Sequence, residues 1–133
     1  MTELATIYIL DDDPGYGELL SEVIAQTGKQ AKVEQSASRF LSSKRPSSGV
    51  LILDLNMPEM DGIEVIRALA ANKEHFSLVL ISGFDERVLH SAKQLAEAHK
   101  IEVLASFTKP LNLSKTFCDM YLNNSKLSVV RAL

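Results

Sequence analysis

The sequence contains little cysteine, no tryptophan and no long apolar run. Its one cysteine, Cys118, cannot form an internal disulfide, and this composition is typical of proteins in a reducing compartment. No apolar stretch approaches the roughly 18 residues that a membrane-spanning helix needs. The opening residues, MTELATIYIL, lack the basic start and the small-residue cleavage site of a signal peptide. We therefore expect a cytoplasmic protein that has no membrane partner.

An excess of basic residues is also missing. The chain has 14 lysines and arginines against 17 aspartates and glutamates, so its formal net charge is -3. This balance predicts no direct contact with nucleic acid, which requires a basic surface. The G-x-x-x-x-G-K-[ST] loop that binds nucleotide phosphates does not occur either, which argues against a nucleotide hydrolase.

What is present is the composition of a soluble globular domain, with 46% of residues hydrophobic and 23% charged. A chain of 133 residues is long enough to bury one core without disulfides or metals. Short apolar runs, which we interpret as strands, lie at residues 7–10, 31–35, 50–53, 78–81 and 101–107. Four of these runs show little polar alternation, as expected for strands covered on both faces.

Segments with apolar residues at helical spacing separate these runs. In the first segment Tyr16, Leu20 and Ile24 share one face, Asp13 can cap the helix, and Gly28 can end it. A short second helix is predicted at residues 38–43, and one more helix follows each of the last three strands. Five β–α units in this order predict an α/β fold, namely a flavodoxin-like, doubly wound, five-stranded parallel sheet of order 2-1-3-4-5 with helices on both faces.

Charged and polar residues stand where four of the proposed strands end, and they are Asp11 and Asp12, Asp54, Ser82 and Lys109. Because the carboxyl ends of parallel strands meet at one edge of a sheet, we expect these side chains to converge. Crowded carboxylates repel unless a cation joins them, and an all-oxygen ligand set favours Mg²⁺. A carboxylate that faces a metal-held phosphoryl group can attack it and become an aspartyl phosphate.

With these residues in place, the chain resembles the receiver domain of two-component response regulators from residue 5 to about residue 125. The segments LDDD, LDLNMPEMDG, ISG and KP carry the resemblance, one after each of four strands. The resemblance implies a receiver domain at residues 1–125 and a C-terminal tail, or the start of a linker, at residues 126–133. It also implies a stoichiometric switch that assists its own phosphorylation and hydrolysis but is not an enzyme.

The resemblance assigns a role to each site residue. Asp54 would accept a phosphoryl group from a sensor histidine kinase or a phosphotransfer protein. Asp12 and Asp54 would bind Mg²⁺ through their side chains, Asn56 through its backbone carbonyl, and Asp11 largely through a coordinated water.

The remaining implied roles concern the switch and the output. Ser82 would fill the Ser/Thr switch position and Lys109 would contact the phosphoryl group, while the peptide bond before Pro110 is often cis in this family. The fourth helix, fifth strand and fifth helix would form the face that contacts an output partner or domain, and a homodimer is a further option. The stretch RVLHSAKQLAEAHKIEVLASFTKPLNL also looks like receivers that precede EAL-type cyclic-di-GMP phosphodiesterase domains.

The sequence departs from the family pattern at two places. The aromatic switch residue of the family usually lies three positions before the lysine, where this chain has Ser106. Phe107 is expected to point to the opposite face of the strand, because side chains alternate along it. Phe84 lies two positions after Ser82, where an apolar ring would shield an acyl phosphate from water.

Other interpretations stay open from the sequence alone. Asp13 can be a helix cap or a ligand, Asp61 can serve an Asp-Gly turn, and Ser82 can cap the next helix. A Mg²⁺-dependent phosphatase would use the same aspartyl phosphate but would need an acid two residues after it, where Asn56 stands. A degenerate receiver that acts only as a binding module is the third hypothesis.

Overall fold

The computed structural model describes residues 6–26, 28–83 and 86–108. Within these ranges strands and helices alternate, and their bounds are β1 Ile7–Leu10, α1 Pro14–Ala25, β2 Ala31–Glu34, α2 Ala37–Ser42, β3 Ser48–Asp54, α3 Gly62–Ala71, β4 His75–Ser82, α4 Glu86–Ala98 and β5 Val103–Thr108. The strands form one sheet of order β2-β1-β3-β4-β5 in which every pair is parallel. The predicted fold class and strand order are therefore confirmed.

Several sequence predictions fall outside the described residues. They concern Phe84, Lys109, Pro110, Cys118, the fifth helix and the tail at residues 126–133. Of the helices that the structure describes, none combines the length and apolarity needed to cross a bilayer.

β1 lies between β2 and β3 in the sheet. Ile7 pairs with Ala31 of β2 on one side and with Val50 of β3 on the other. All four residues of β1 are buried, since helices cover both faces of the strand. This placement brings the ends of β1 and β3 side by side, because Leu10 pairs with Leu53.

Two apolar clusters lie on the two faces of the sheet. The larger cluster packs α2, α3 and α4 through residues such as Phe40, Leu69 and Ala92. The smaller cluster packs α1 against the other face through Leu20 and Ile24. The two faces therefore use different helices, as the doubly wound fold requires.

Short polar side chains start the first three helices. Asp13 caps α1 by accepting from the N–H groups of Gly15 and Tyr16, as the sequence predicted. Ser36 caps α2, which begins one residue earlier than predicted. The turn assignment for Asp61 was incomplete, since its carboxylate caps α3 by accepting from the N–H of Glu64 at 2.9 Å.

A buried ion pair lies at the edge of the sheet where β3 and β4 begin, opposite the carboxyl ends of the strands. Arg45 and Glu74 form two hydrogen bonds of 2.5 and 3.2 Å, and their side chains are 7% and 9% exposed. Arg45 Nε also donates to the carbonyl of Phe40 at 2.8 Å, and the guanidinium lies 3.9 Å from the centre of that ring. The pair thus joins the segment after α2 to the segment after α3.

Candidate functional site

Three carboxylates meet where β1 and β3 end. Asp54 is the last residue of β3, and Asp11 and Asp12 directly follow β1. One oxygen from each of the three lies within 4.8 Å of the other two. Asp11 and Asp54 are 1% and 2% exposed, whereas Asp12 is open to solvent. The sequence prediction that these acids converge is borne out by their positions.

Backbone donors orient the two buried carboxylates. Asp11 Oδ1 accepts from the N–H of Asp13 at 2.9 Å, and Asp54 Oδ1 accepts from the N–H of Asn56 at 3.0 Å. In both cases the donor lies two residues further along the chain, which is the local bond that aspartate makes readily at a turn. Each carboxylate is therefore held in place by its own loop.

Ser82 ends β4, next to Asp54 in the sheet. Asp54 pairs with Ile81 in the register, and Ser82 is the following residue. Its side chain is fully buried, and it lies four residues before α4 begins at Glu86. The alternative in which Ser82 caps α4 gains no support, because Ser82 belongs to β4 and a capping residue directly precedes its helix.

Phe107 lies near the end of β5 and packs with the α1-side cluster that also contains Tyr16. α4 packs on the other side of the sheet. Phe107 therefore lies on the α1 side of the sheet, opposite α4.

Asn56 connects the loop after β3 to the loop after β4. Its side-chain Oδ1 accepts from the backbone N–H of Gly83 at 2.5 Å, across 27 positions of sequence. From the sequence, Asn56 was expected to contribute only its backbone carbonyl, because the partner of its side chain follows a different strand.

Tyr16 belongs to the site, although its sequence position predicted only a place in the apolar stripe of α1. Burial raises the pKa of the Tyr16 phenol above its usual range, and the negative charges of Asp11 and Asp54 raise it further. The phenol therefore stays protonated beside the carboxylates. The one signal in the sequence was its position three residues after Asp13, on the first turn of the helix that follows the acids.

Glu59 fixes the outer part of the loop after β3. Its carboxylate accepts from the N–H of Ser38 at 3.1 Å, from the Ser38 hydroxyl at 2.5 Å and from the Ser36 hydroxyl at 3.1 Å. These bonds join the loop to the start of α2. They hold the pKa of Glu59 below its ordinary value, with the Ser38 hydroxyl as the largest cause.

Gly62 lets the same loop return closely to β3. A Cβ at this position would lie 2.8 Å from Leu55 Cα and still nearer to the Leu55 side chain. The N–H of Gly62 also donates to the carbonyl of Leu55 at 3.2 Å. The loop from residue 55 to residue 61 is thus closed at its base by backbone contact.

The donor set fits a hard divalent cation. All three side chains offer carboxylate oxygens, and two of them are buried where uncompensated negative charge is costly. Within the described ranges these are the residues whose ligand atoms converge in this way. Lys109, the remaining predicted contact, lies beyond residue 108, where the description ends.

Comparisons with known proteins agree with this geometry. The family model described as Response regulator receiver domain matches residues 7–119. The Response regulator protein TodT of Pseudomonas putida is 37% identical over 107 residues, which are 80% of this chain and 45% of that protein. Sporulation initiation phosphotransferase F of Bacillus subtilis is 27% identical over 112 residues, or 82% of this chain and 85% of that protein.

A solved structure extends the comparison to three dimensions. The crystal structure of a response regulator from Colwellia psychrerythraea superposes with a TM-score of 0.80 at 37% identity, covering 98% of this chain and 100% of the other. The chain spans less than half the length of the TodT relatives, at 45%.

Proposed function

This chain belongs to the response regulator receiver domain family, and we propose on that basis that it is a switch in which Asp54 is the phosphorylated residue. One observation carries the proposal. Asp54 is a buried carboxylate at the end of a central strand, and its oxygen lies within 4.8 Å of two further carboxylates. A buried carboxylate beside two further carboxylates is a candidate for binding a divalent cation and for reacting with a phosphoryl group.

Receiver domains bind Mg²⁺ at an acidic pocket of this kind, and the proposed ligands here are the side chains of Asp11, Asp12 and Asp54 with the backbone carbonyl of Asn56. The bound ion would supply positive charge that offsets the carboxylates and the incoming phosphoryl group. The exposure of Asp12 leaves one side of the cluster accessible from solvent. Asp11 and Asp54 would be fixed by their backbone donors while the ligand set forms.

In the proposed reaction a carboxylate oxygen of Asp54 attacks the phosphorus of a phosphohistidine on a sensor histidine kinase or a phosphotransfer protein. The new O–P bond forms as the P–N bond breaks, and the histidine nitrogen leaves with its electron pair and takes a proton. The Ser82 hydroxyl and the Lys109 ammonium would then donate to the phosphoryl oxygens. The protein changes state once for each phosphoryl group it receives, so we propose a stoichiometric switch and not an enzyme.

The proposed output runs through α4, β5 and the segment that follows. Phosphorylation adds a charge of about -1.5 to -2 at Asp54. Of the groups proposed to bind the phosphoryl oxygens, Ser82 ends β4, and Lys109 follows β5 in the sequence. Because the chain covers 45% of TodT, we propose that the output belongs to another domain or a partner protein, with a homodimer as a further assembly. Its single cysteine supports the cytoplasm as the proposed location.

Intact-mass measurement with acetyl phosphate and Mg²⁺ tests the proposal. We expect the wild-type protein to gain the mass of one phosphoryl group and Asp54→Asn to gain none. Asp61→Asn is the matched control, because Asn still caps α3 and residue 61 lies outside the carboxylate cluster. Labelling of Asp54→Asn, or a wild-type protein that is never labelled, would contradict the assignment. Catalytic turnover of a phosphate ester would instead support the phosphatase hypothesis.

A further inference from the structure

Asn56 touches both the phosphoacceptor candidate and the neighbouring strand end. Its N–H donates to Asp54 Oδ1 at 3.0 Å, and its side-chain oxygen accepts from the N–H of Gly83 at 2.5 Å. Gly83 directly follows Ser82, and a Cβ built on Gly83 would lie only 3.2 Å from Asn56 Oδ1. The carboxamide therefore packs closely on the first residue beyond β4.

We propose that the Asn56 carboxamide is a latch that holds Gly83 while Asp54 is unphosphorylated and releases it when Asp54 carries a phosphoryl group. This inference deepens the proposed function and rests on it, because release requires phosphorylation of Asp54. Asn56 is then a positioning residue, since its side chain acts through Gly83 and the loop after β4.

The space around Asp54 is limited. Asp54 and Ser82 are 2% and 0% exposed, whereas Asn56 is exposed. A phosphoryl group would add three acceptor oxygens to a carboxylate that has little open room. The Asn56 side chain can turn into water without opening the core, so it is the neighbour that can give way.

The hydrogen bond between Gly83 and Asn56 is weaker than one that a phosphoryl oxygen could form. The N–H of Gly83 is bonded to a neutral amide oxygen. Hydrogen bonds to charged oxygens are roughly twice as strong as those between neutral groups. A phosphoryl oxygen would therefore compete well for this donor, while water satisfies the released carboxamide at the cost of one ordinary hydrogen bond.

Release would act on the segment that leads to α4. Gly83 lies three residues before Glu86, the first residue of that helix. A change in the hydrogen-bond partner of Gly83 would thus alter the backbone close to the start of α4, which belongs to the proposed output face. The latch therefore links the phosphorylation of Asp54 to the position of α4.

Amide NMR of the unphosphorylated protein tests the bond itself. We expect a downfield, slowly exchanging Gly83 amide proton in the wild-type protein. Asn56→Leu removes the acceptor and should move the signal upfield and raise the exchange rate about fivefold. Asn56→Asp keeps an acceptor oxygen at the same reach, now charged, and should leave the signal at least as far downfield and the exchange at least as slow as in the wild-type protein. Asn72→Leu, at the exposed end of α3, is the matched control, and an unchanged Gly83 signal in Asn56→Leu would overturn the latch.

Titration with beryllofluoride in the presence of Mg²⁺ tests the release. We expect Asn56→Leu to bind this phosphoryl mimic about two- to tenfold more tightly than the wild-type protein, because no latch has to open. Asn56→Ser, whose hydroxyl is too short to reach Gly83, should behave alike and replaces the leucine variant if that fails to fold. Equal or weaker binding by the variants overturns the latch alone. Absence of binding by the wild-type protein overturns the proposed function and the release together, so the two failures are distinguishable.

Discussion

Tyr16 lies beside the carboxylates of the site, and its phenol responds to their charge. Burial is the largest cause of its raised pKa, followed by the charges of Asp11 and Asp54. The folded protein therefore holds the phenol proton more tightly than the unfolded chain, which releases it near the ordinary value of 10.0. The stabilisation is fully present below that pH and is lost as the pH rises toward the folded-state pKa.

This linkage predicts a difference between the wild-type protein and Tyr16→Phe in alkali. Urea unfolding between about pH 8 and pH 11 should show the wild-type free energy of unfolding falling more steeply above pH 10, because only its unfolded state ionises Tyr16 there. The other tyrosines contribute equally to both proteins and cancel in the comparison. Parallel pH profiles for the two proteins would contradict the assignment.

The pKa of Glu59 is shifted in the opposite direction to that of Tyr16, so its contribution to stability is lost in acid and not in alkali. Its lowered pKa means that the bonds to Ser38 and Ser36 are fully present above its ordinary value of 4.5 and are lost as the pH falls through the folded-state pKa. Carbon-detected NMR should report a Glu59 carboxyl that titrates below this value, and Ser38→Ala should move the titration back toward it. Ser42→Ala is the control, because that hydroxyl bonds to the carbonyl of Arg39 within α2. A Glu59 titration that Ser38→Ala leaves unchanged would contradict the role of the Ser38 hydrogen bonds.

At the scale of elements, the start of α3 depends on the absence of a side chain at residue 62. Gly62→Ala would place a methyl group against the Leu55 backbone at 2.8 Å, so we expect a loss of roughly 1–3 kcal/mol in the free energy of unfolding. Gly15→Ala is the matched control in the first turn of α1, where the added Cβ would make an ordinary 3.5 Å contact with Asp13 Oδ1. It should be neutral or stabilising by up to about 1 kcal/mol. Equal effects of the two substitutions in urea unfolding would contradict the close approach.

The ion pair of Arg45 and Glu74 joins two connections at the other edge of the sheet. Glu74→Gln leaves a largely buried guanidinium without its carboxylate, and we expect a loss of about 3 kcal/mol. The double variant Arg45→Met and Glu74→Leu should recover most of this loss, because it removes the buried charge as well. Glu97→Gln on the exposed side of α4 should stay within about 0.5 kcal/mol. Additive effects of Arg45→Met and Glu74→Leu on the free energy of unfolding, measured singly and together, would show that the pair is not coupled.

Much of this architecture could be predicted because strands and helix starts depend on local sequence. The aliphatic runs of β1 and β3 predicted buried parallel strands, and their shared edge predicted the meeting of Asp11 with Asp54. β4 was predicted too short, because His75 and Ser77 add polar residues at its start. The contacts of Asn56 with Gly83, of Glu59 with Ser38 and of Arg45 with Glu74 span 27, 21 and 29 positions. Such contacts depend on the distance between separate loops in the folded chain, and the spacing of apolar residues in the sequence does not predict that distance.

At the scale of the whole molecule, the carboxylate cluster links stability to divalent cations. Three acids whose oxygens lie within 4.8 Å repel one another without a cation, and a cation that binds only the folded state stabilises it by mass action. We expect millimolar Mg²⁺ to raise the melting temperature of the wild-type protein. Asp54→Asn should melt higher than the wild type without Mg²⁺ and respond less to its addition. Equal Mg²⁺ responses of the two proteins in thermal unfolding would contradict the cluster as the binding site.

The position of β1 between β2 and β3 also has a consequence for synthesis. Ile7 pairs with Val50, so its second neighbour follows 50 − 7 = 43 residues later in the chain. At about 5–20 residues per second, the ribosome needs roughly 2–9 s to add that stretch. For this interval one side of an aliphatic strand is without its partner, at a stage when unpaired strand edges promote aggregation. The segment that later presents Asp11 and Asp12 is thus one that the nascent chain must keep shielded until β3 emerges.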